Sequence, residues 1–436
     1  MPPTPILRNR LVALQHREFR LLWWSILATN VGLQMQTIAV NWHVYTLLRE
    51  DASVLVLWGY TLQLTAGALA LGGLGLMRYL PLLLFGVVGG ILADAANRRK
   101  LLLITLALGM VCALLPALLT FGGVIDVLML YGVVAALTAL WALETPAREA
   151  LVANAVPRDR LTNAVSLVML VSVVGGMVGP ALAGVVLETG RIGVVYLLHA
   201  LTYLPALIAV ARLEDHGPPA GRPARLTRAA LLDGFRFSFS TPIIRSTMLL
   251  DFFATLVGSA RTLLPIVADQ VLGIGAGGYG LLATAQPLGS VLAGGLASWR
   301  REIRCQGALF LLCVAAYGLA TALFGVSTVF ALSYALFAVS GAADTLSSIV
   351  RGAVRQLWTP DELRGRMVGV NMLFYMGGPQ LGEVRAGMVA ALVGAPWAII
   401  SGGLAAALLA SWAAWRDRTL REYTADVGYA AVRRSE

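Results

Sequence analysis

Long apolar runs dominate the chain, and short polar segments separate them. A helix that crosses a bilayer needs about 20 mostly apolar residues. Of all residues 58% are apolar and only 13% are charged, with a mean hydropathy of +0.77, whereas soluble domains carry about 25% charged residues. The pattern therefore predicts an all-α membrane protein with twelve spans. The runs cover residues 20–44, 64–93, 101–123, 127–146, 164–187, 192–211, 246–270, 277–299, 305–325, 328–350, 367–392 and 396–415.

Basic residues alternate between the predicted loops. Of the 33 lysines and arginines, all but five lie in alternate loops or in the two terminal segments. Loops rich in Lys and Arg stay on the cytoplasmic side of a membrane. Twelve spans with both termini in the cytoplasm follow, in a multi-pass protein of the bacterial cytoplasmic membrane. The five exceptions are Arg49 and Arg191 in outer loops and Arg78, Arg261 and Arg385 within spans.

Several function classes lack their residue patterns. Cys112, Cys305 and Cys313 form no CxxC pair, and no His/Cys spacing indicates a metal site. No G-x-x-x-x-G-K loop is present, so ATP hydrolysis by this chain is not expected. The net charge of +10 is explained by topology rather than nucleic-acid binding. The first 20 residues lack a cleavage site, and the first span is expected to remain as an anchor.

One apolar stretch exceeds the length of the span that follows it. Residues from Ser53 to Tyr60 add apolar length before the second span. Trp58 and Tyr60 favour an extension of the first outer loop at the membrane interface, and a re-entrant segment is the alternative.

The chain nearly repeats itself at a shift of 203 residues. Arg148 corresponds to Arg351, and Gly179 corresponds to Gly382. A fixed-shift repeat indicates duplicated architecture, and two parallel repeats of six helices are typical of one class of transporters with a substrate site between the halves. The predicted domains are residues 1–213, a cytoplasmic linker at 214–245 with an amphipathic helix, and residues 246–436.

Two motifs resemble those of the major facilitator superfamily. The sequence GGILADAANRRK (residues 89–100) is similar to the signature loop after the second helix, and GGMVGPALAG (residues 175–184) to the fifth-helix antiporter motif. Within this superfamily, the chain resembles the branch that contains enterobactin exporters and macrolide-efflux-type permeases. Ala95 and Asn97 depart from the family pattern. Asn97 replaces a glycine but tolerates a left-handed turn.

The resemblance implies roles for both motifs. Gly90, Asp94, Arg98 and Arg99 are expected to form a cytoplasmic gate, in which the acid holds the arginines and a facing helix N-terminus. A cluster that only fixes topology is the alternative. The fifth-helix motif is expected to form a pliable seam that prevents proton leak, or else to serve tight helix packing alone. Its residues are Gly175, Gly179, Pro180 and Gly184.

Charges within predicted spans are candidates for proton coupling. A charge at the bilayer centre costs roughly 2.5–3.5 kcal/mol on insertion scales. We expect Asp251 or Glu383 to take the coupling proton, with an arginine tuning its pKa; structural ion pairs are the alternative. The set comprises Asp251, Glu383, Arg385, Arg261, Arg78 and Asp344.

Polar residues in the first span form a second candidate set. Gln34, Thr37 and Asn41 share one helix face, and with Asn30 they are expected to line a substrate cavity. Interhelical hydrogen bonds alone are the alternative. Glu144 and Arg148 are four residues apart and predict an ion pair at a helix end.

The sequence thus predicts a proton-driven exporter of an amphipathic organic solute, such as a siderophore, a macrolide or another drug. Its expected partners are the lipid bilayer and a small molecule, it is expected to be a monomer, and no cofactor beyond the proton gradient is expected. A nutrient uptake permease is the alternative within transport. A membrane enzyme would need a catalytic cluster that the sequence lacks, and a channel does not explain the duplicated halves.

Overall fold

The computed structural model of the protein is predominantly helical. It describes residues 12–49, 52–57, 60–215, 217, 228–299, 304–360 and 363–424. The chain forms two compact units. The first comprises Met1–His43 and Leu80–Arg225, and the second comprises Val44–Tyr79 and Leu226–Glu436. Residues 44–79 therefore group with the C-terminal half of the chain, which the sequence repeat did not indicate.

The first unit is built mainly from six helices. After a 3₁₀ turn at Val12–Gln15, they are α1 (Arg17–Leu48), α2 (Ala66–Ala95), α3 (Arg98–Phe121), α4 (Val127–Asn154), α5 (Leu161–Glu188, after a 3₁₀ turn at Arg158–Arg160) and α6 (Ile192–Ala211). The last residues of α1 and the first half of α2 belong to the second unit. Asp126 caps α4, because its side chain accepts a hydrogen bond from the backbone N–H of Met129 at 2.7 Å. Phe19, Leu106 and Val171 are fully buried in the core that joins α1, α3 and α5.

An antiparallel hairpin stands where an outer loop extension was expected. Strand β1 (Ala52–Leu57) pairs with β2 (Tyr60–Thr65), in a register that places Ala52 opposite Thr65 and Leu57 opposite Tyr60. Pairing satisfies the backbone groups of the apolar stretch without a further helix. The outer-loop extension and the re-entrant segment both stay predictions, and Trp58, on which the interfacial prediction relied, lies outside the described residues.

The seventh span is broken, although the sequence predicted one run over 246–270. Helix α8 (Pro242–Gly258) ends before a 3₁₀ turn at Arg261–Leu263, and a short α9 (Leu264–Ile266) leads into a π-helical turn at Val267–Val271. Pro265 explains part of the break, because proline lacks the N–H that a continuing helix needs. Arg261 is therefore exposed in a turn whose other residues, Thr262 and Leu263, are buried, rather than lying inside an α-helix.

The rest of the second unit consists of α7 (Arg228–Ser240), α10 (Gly275–Ala283), α11 (Ala285–Trp299), α12 (Gln306–Val326), α13 (Phe330–Trp358), α14 (Arg364–Val393), α15 (Ala395–Arg416) and α16 (Arg418–Arg421). Helix α7 lies in the segment expected to hold an amphipathic helix. Its Phe235 and Phe239 rings lie 6.3 and 6.2 Å from the ring of Phe374 on α14. The apolar side of α7 is thus covered, at least in part, by protein.

Ten helical segments of the described chain are long and apolar enough to span a membrane. Helices α1 and α14 are not among them. Both occupy predicted spans, but polar side chains such as Gln34 and Asn41 on α1 and Glu383 and Arg385 on α14 lower their hydropathy. The all-α membrane fold is confirmed, and the exact count of twelve spans stays a prediction.

Helices α12 and α15 approach each other closely at two glycines. A methyl group on Gly318 would lie 2.6 Å from the carbonyl oxygen of Gly403 and 2.5 Å from the backbone nitrogen of Ala407. Because both neighbours are backbone atoms, neither can rotate away. Small residues at such contacts permit dense packing where the hydrophobic effect between helices is absent.

We expect Gly318→Ala to destabilise the protein by about 1–3 kcal/mol through overpacking. The measurement is unfolding of the purified protein in detergent. Gly294→Ala on α11 is the matched control, since no described atom lies within 4 Å of the added methyl group. Equal melting of wild type and G318A would contradict the predicted contact.

Candidate functional site

A polar cavity of about 210 Å³ lies within the second unit. We call it the second-unit cavity. It is lined by residues of α8, α11, α12, α13, α14 and the turn after α8. Its charged and polar members are Asp251, Arg261, Asp344, Gln286, Gln380, Tyr317 and Tyr375. Three of the six charges singled out from the sequence therefore share one cavity.

Asp251 forms a buried ion pair with Arg351. The Oδ2 atom of Asp251 accepts a hydrogen bond from Nη1 of Arg351, and the two side chains are 6% and 11% exposed. Arg351 also donates from Nη2 to the hydroxyl of Ser348 at 2.8 Å, and its guanidinium lies 5.8 Å from the Tyr375 ring centroid. Buried pairs add little net stability, but removing one partner leaves an uncompensated charge. The pair joins α8 to α13.

Asp344 and Arg261 line the same cavity without joining this pair. Asp344 lies seven residues before Arg351 on α13. Within the described parts of the chain, no basic nitrogen lies within 4.0 Å of its carboxylate. Arg261 reaches the cavity from the turn after α8. The cavity therefore contains a second carboxylate that the paired arginine does not neutralise directly.

Glu383 pairs with Arg78 where α2 meets α14. Nη1 of Arg78 lies 3.0 Å from Oε2 of Glu383, and the side chains are 17% and 7% exposed. Glycines allow the approach, since a methyl group on Gly387 would lie 2.5 Å from the Cα atom of Gly72. The pair thus links two helices that are in backbone contact. This geometry fits both alternatives from the sequence, a structural ion pair and a protonation site.

Arg385 has a different kind of partner. Its Nη1 and Nη2 atoms donate to the carbonyl oxygen of Ala398 at 3.2 and 3.3 Å. The guanidinium also lies against Gly402 on α15. Arg385 therefore joins α14 to α15 through a backbone carbonyl.

Two of the polar residues of α1 lie where this helix meets α5. A methyl group on Gly175 would overlap Oδ1 of Asn30, and one on Gly179 would lie 2.6 Å from Cβ of Gln34. Thr37 donates to the carbonyl of Leu33 at 2.9 Å within its own helix. Asn41 is 4% exposed. Asn30 lines a small cavity with Glu144 and Arg148, and the substrate role of the four residues stays a prediction.

The fifth-helix motif contacts α1. Gly175, Gly179, Pro180 and Gly184 are all buried on α5, and the first two let α1 approach its backbone. Pro180 lies inside the helix and removes one N–H donor from it. Tight packing is thus observed, while a role in preventing proton leak stays a prediction.

The residues of the expected gate divide into two contacts. Asp94 lies 3.9 Å from Arg98 in a partly exposed pair, and Gly90 is half-buried in α2. Arg99 instead donates to the carbonyls of Val210 and Ala211 at 3.3 and 2.5 Å, at the end of α6. The loop therefore fixes the ends of α2, α3 and α6 within the first unit.

Asn97 does not adopt the left-handed turn that the sequence suggested. Its φ is −65° and its ψ is 111°, and its side chain caps α3 by accepting from the N–H of Lys100. Its Nδ2 donates to Asp215 at 2.5 Å. That hydrogen bond, together with one from the backbone N–H of Gly217, lowers the pKa of the Asp215 carboxyl. Asn97 therefore caps α3 and links it by a hydrogen bond to Asp215 after α6.

A polar cluster at the end of α1 was missed in the sequence. The hydroxyl of Tyr45 donates to Asp269 at 2.6 Å and accepts from Gln270 at 3.3 Å. Arg49 lies 3.4 Å from the same carboxylate. Asp269 was not among the candidate residues, because it lies at the end of a span that the sequence predicted as one continuous helix. The π-helical turn that contains it has no distinct sequence signal.

The sequence matches a protein-family model over almost its whole length. The family model described as "Transmembrane secretion effector" matches residues 9–432. The chain belongs to this family of the major facilitator superfamily. It is 29% identical over 391 residues to the enterobactin exporter EntS of Shigella boydii, covering 87% of this chain and 86% of the relative. The EntS protein of Escherichia coli O1:K1 is 29% identical over 392 residues, with the same coverage.

Solved structures support the fold. A POT family transporter in complex with a thioalcohol-conjugated peptide superimposes with a TM-score of 0.70 at 12% identity, covering 93% of this chain and 96% of that one. A bacterial homologue of the human lysosomal transporter Spinster, inward-facing and unoccupied, gives 0.69 at 15% identity, with 93% and 98% covered. These likenesses establish the fold.

The buried pair in the second unit yields a test by double-mutant cycle. We expect Asp251→Asn and Arg351→Gln each to destabilise the protein by about 3–5 kcal/mol, because each leaves the partner charge buried alone. The double variant is expected to lose much less than the sum. Unfolding in detergent measures the three variants, and Glu422→Gln in the exposed pair with Arg418 is the control. Additive losses would show that the two charges do not interact.

Proposed function

We propose that the protein is a proton-coupled exporter that carries an amphipathic organic solute of the siderophore class across the bacterial cytoplasmic membrane. The observation that carries the proposal is the buried Asp251–Arg351 pair beside a polar cavity. Membership of a family of secretion effectors and the similarity to enterobactin exporters support the outward direction. The distribution of basic residues supports cytoplasmic termini.

Asp251 is the proposed proton carrier of the second unit. Protonation would neutralise its carboxylate and end the ion pair, which leaves Arg351 with an unpaired charge. The carboxylate of Asp344 shares the cavity and is a nearby alternative partner on the same helix. A shift of Arg351 from α8 toward Asp344 would loosen the contact between α8 and α13. Proton binding thereby favours a different arrangement of these helices.

Glu383 is the second proposed proton site. Its ion pair with Arg78 joins α2 to α14 at a glycine-lined contact. Loss of the carboxylate charge would remove the polar part of that contact and leave only the close backbone packing. Alternating access requires helix contacts of this kind to form and break during the transport cycle.

The lining of the second-unit cavity suits a hydroxylated aromatic solute. Tyr317, Tyr375 and Phe337 supply aromatic surface, and Gln286 supplies a polar amide group. Oε1 of Gln380 is a buried acceptor without a hydrogen-bond donor among the described residues. A phenol or catechol hydroxyl would satisfy it, while Arg261 favours an anionic group.

Transport into inside-out vesicles tests the proton coupling. With enterobactin as the probe, we expect pH-gradient-driven accumulation by the wild type and its loss in Asp251→Asn and Glu383→Gln. Asp159→Asn is the control, since that side chain is 68% exposed. Wild-type accumulation that persists after the gradient is collapsed, or full activity of both variants, would refute the proposed coupling.

Gln380→Leu tests the substrate cavity. Loss of one hydrogen bond is expected to cost about 0.5–1.5 kcal/mol, which weakens enterobactin binding about 2- to 10-fold. Equilibrium binding to purified protein is the measurement, and Gln286→Leu reports a second polar position of the same cavity. Unchanged affinity in both variants would place the substrate elsewhere.

A further inference from the structure

A second polar cavity lies within the first unit. We call it the first-unit cavity. Its volume is about 30 Å³, and residues of α1, α3, α4 and α6 line it. A water molecule needs about 10–15 Å³ of such volume, so the cavity has room for water. The polar and aromatic members used below are Asn30, Thr105, Trp141, Glu144, Arg148 and Tyr203. None of the roles assigned so far uses this cavity.

The Glu144–Arg148 pair is buried, whereas the sequence suggested an ion pair at a helix end. The side chains of Glu144 and Arg148 are 9% and 14% exposed. The hydroxyl of Thr105 on α3 donates to Oε2 of Glu144 at 3.3 Å. A pair at a solvated helix end would cost little to form. Burial of both charges is expensive and seldom adds net stability, so helix stability alone is a weak reason for this arrangement.

Two polar atoms of this cavity are left without a partner among the described residues. Nε of Arg148 is a buried donor, and Oδ1 of Asn30 is a buried acceptor. Buried groups of this kind normally find a hydrogen bond. The cavity therefore offers Arg148 an alternative acceptor on α1, in addition to the carboxylate it already contacts.

The internal duplication relates this cavity to the second-unit cavity. Arg148 and Arg351 correspond at the shift of 203 residues. Each is a largely buried arginine bonded to one buried carboxylate, and each of those carboxylates lines the cavity of its own unit. The acids do not correspond, because the counterpart of Glu144 is Ser347. The arginine is thus common to both repeats, and each repeat provides its own acid.

We propose that Glu144 is a third proton-exchange site, and that Asn30 takes the Arg148 hydrogen bond when Glu144 is protonated. The proton passes from water in the cavity to the carboxylate of Glu144, and the pair changes from neutral to a net charge of +1. Arg148 then moves its donor to Oδ1 of Asn30. As a transport step this rests on the proposed function, and the proton binding itself does not.

The groups around Glu144 leave Arg148 as its charged neighbour. On α3, Thr105 contacts the carboxylate, and Cys112 lies on the same helix. On α6, Tyr203 lines the cavity, and its ring lies tilted against that of His199, with ring centroids 5.3 Å apart. Residues of α1 that line the cavity are Thr29, Asn30 and Leu33, which carry no charge. Arginine stays protonated in proteins, so protonation in this cavity falls to Glu144 rather than to its partner.

Movement of Arg148 toward Asn30 would reach α5. Oδ1 of Asn30 lies directly over the space that a side chain on Gly175 would occupy. A new hydrogen bond at this atom changes the α1 side of the contact between α1 and α5. Protonation of Glu144 on α4 would in this way alter the contact of α1 with Gly175 in the fifth-helix motif.

Infrared difference spectroscopy of the purified full-length protein tests the proton site without any substrate. Spectra are recorded between about pH 5 and pH 8, a range chosen to include carboxyl groups with raised pKa values. We expect a protonated-carboxyl band in the wild type that Glu144→Gln reduces by one group. Glu188→Gln is the control, because Glu188 ends α5 with its side chain exposed, and it should leave the buried-carboxyl band intact.

Asn30→Ala tests the alternative acceptor and is a second variant should E144Q fold poorly. Without Oδ1 the protonated state loses its hydrogen bond, so the Glu144 band should appear at a lower pH by up to about one unit, the equivalent of one hydrogen bond of about 1 kcal/mol. Thermal unfolding checks that each variant is folded. An unchanged midpoint in N30A would refute the role of Asn30.

The outcomes separate the two proposals. If E144Q keeps the full wild-type band while D251N or E383Q loses part of it, Glu144 is not a proton site and the proposed function stands. If E144Q loses a band while vesicle transport shows no coupling to pH, the site binds protons but the proposed function fails. If no carboxyl band responds to pH in the wild type, the inference at Glu144 is refuted.

Discussion

The cost of placing charge inside a bundle of apolar helices shapes much of this structure. A carboxylate or guanidinium at membrane depth cannot rely on water, so it needs a partner of opposite charge or a hydrogen-bonding backbone group. Three buried carboxylates follow this rule, namely Glu144 with Arg148, Asp251 with Arg351, and Glu383 with Arg78. Arg385 follows it through the carbonyl of Ala398. Each solution also fixes which helices come into contact.

Glycine provides the close approaches that these partnerships require. Gly72 and Gly387 bring α2 to the backbone of α14 near the Arg78–Glu383 pair, and Gly175 and Gly179 bring α5 to α1. In lipid, helix association depends on close packing and on hydrogen bonds rather than on the hydrophobic effect. The polar residues and the small residues of the same helices are therefore two parts of one arrangement.

The sequence predicted the helices well because a span must satisfy its backbone internally and must be apolar over a fixed length. It could not locate the break after Gly258, since a run such as residues 246–270 stays apolar whether or not its helix is continuous. The hairpin at residues 52–65 was missed for the same reason. Hydropathy measures length and polarity, and it carries no information about local hydrogen bonding.

The sequence shows which residues carry charge inside the membrane more readily than it shows which of them form ion pairs. The sequence identified Asp251, Glu383 and Arg78 as intramembrane charges, but which arginine meets which acid depends on helices far apart in the chain. Asp251 and Arg351 are 100 residues apart, and Arg78 and Glu383 are 305 apart. Glu144 and Arg148 could be paired by spacing alone, yet the spacing did not reveal that the pair is buried. Contacts of Arg99 with the end of α6 were equally invisible.

The two corresponding arginines differ in whether the ion pair connects two helices. Arg351 meets an acid on another helix, so loss of that charge acts directly between α8 and α13. Arg148 meets an acid on its own helix, so loss of that charge changes nothing between helices unless the arginine finds a new partner. The unpartnered oxygen of Asn30 on α1 provides one. The first repeat therefore needs an acceptor on a neighbouring helix to transmit a proton signal, whereas in the second repeat the acid itself already lies on such a helix.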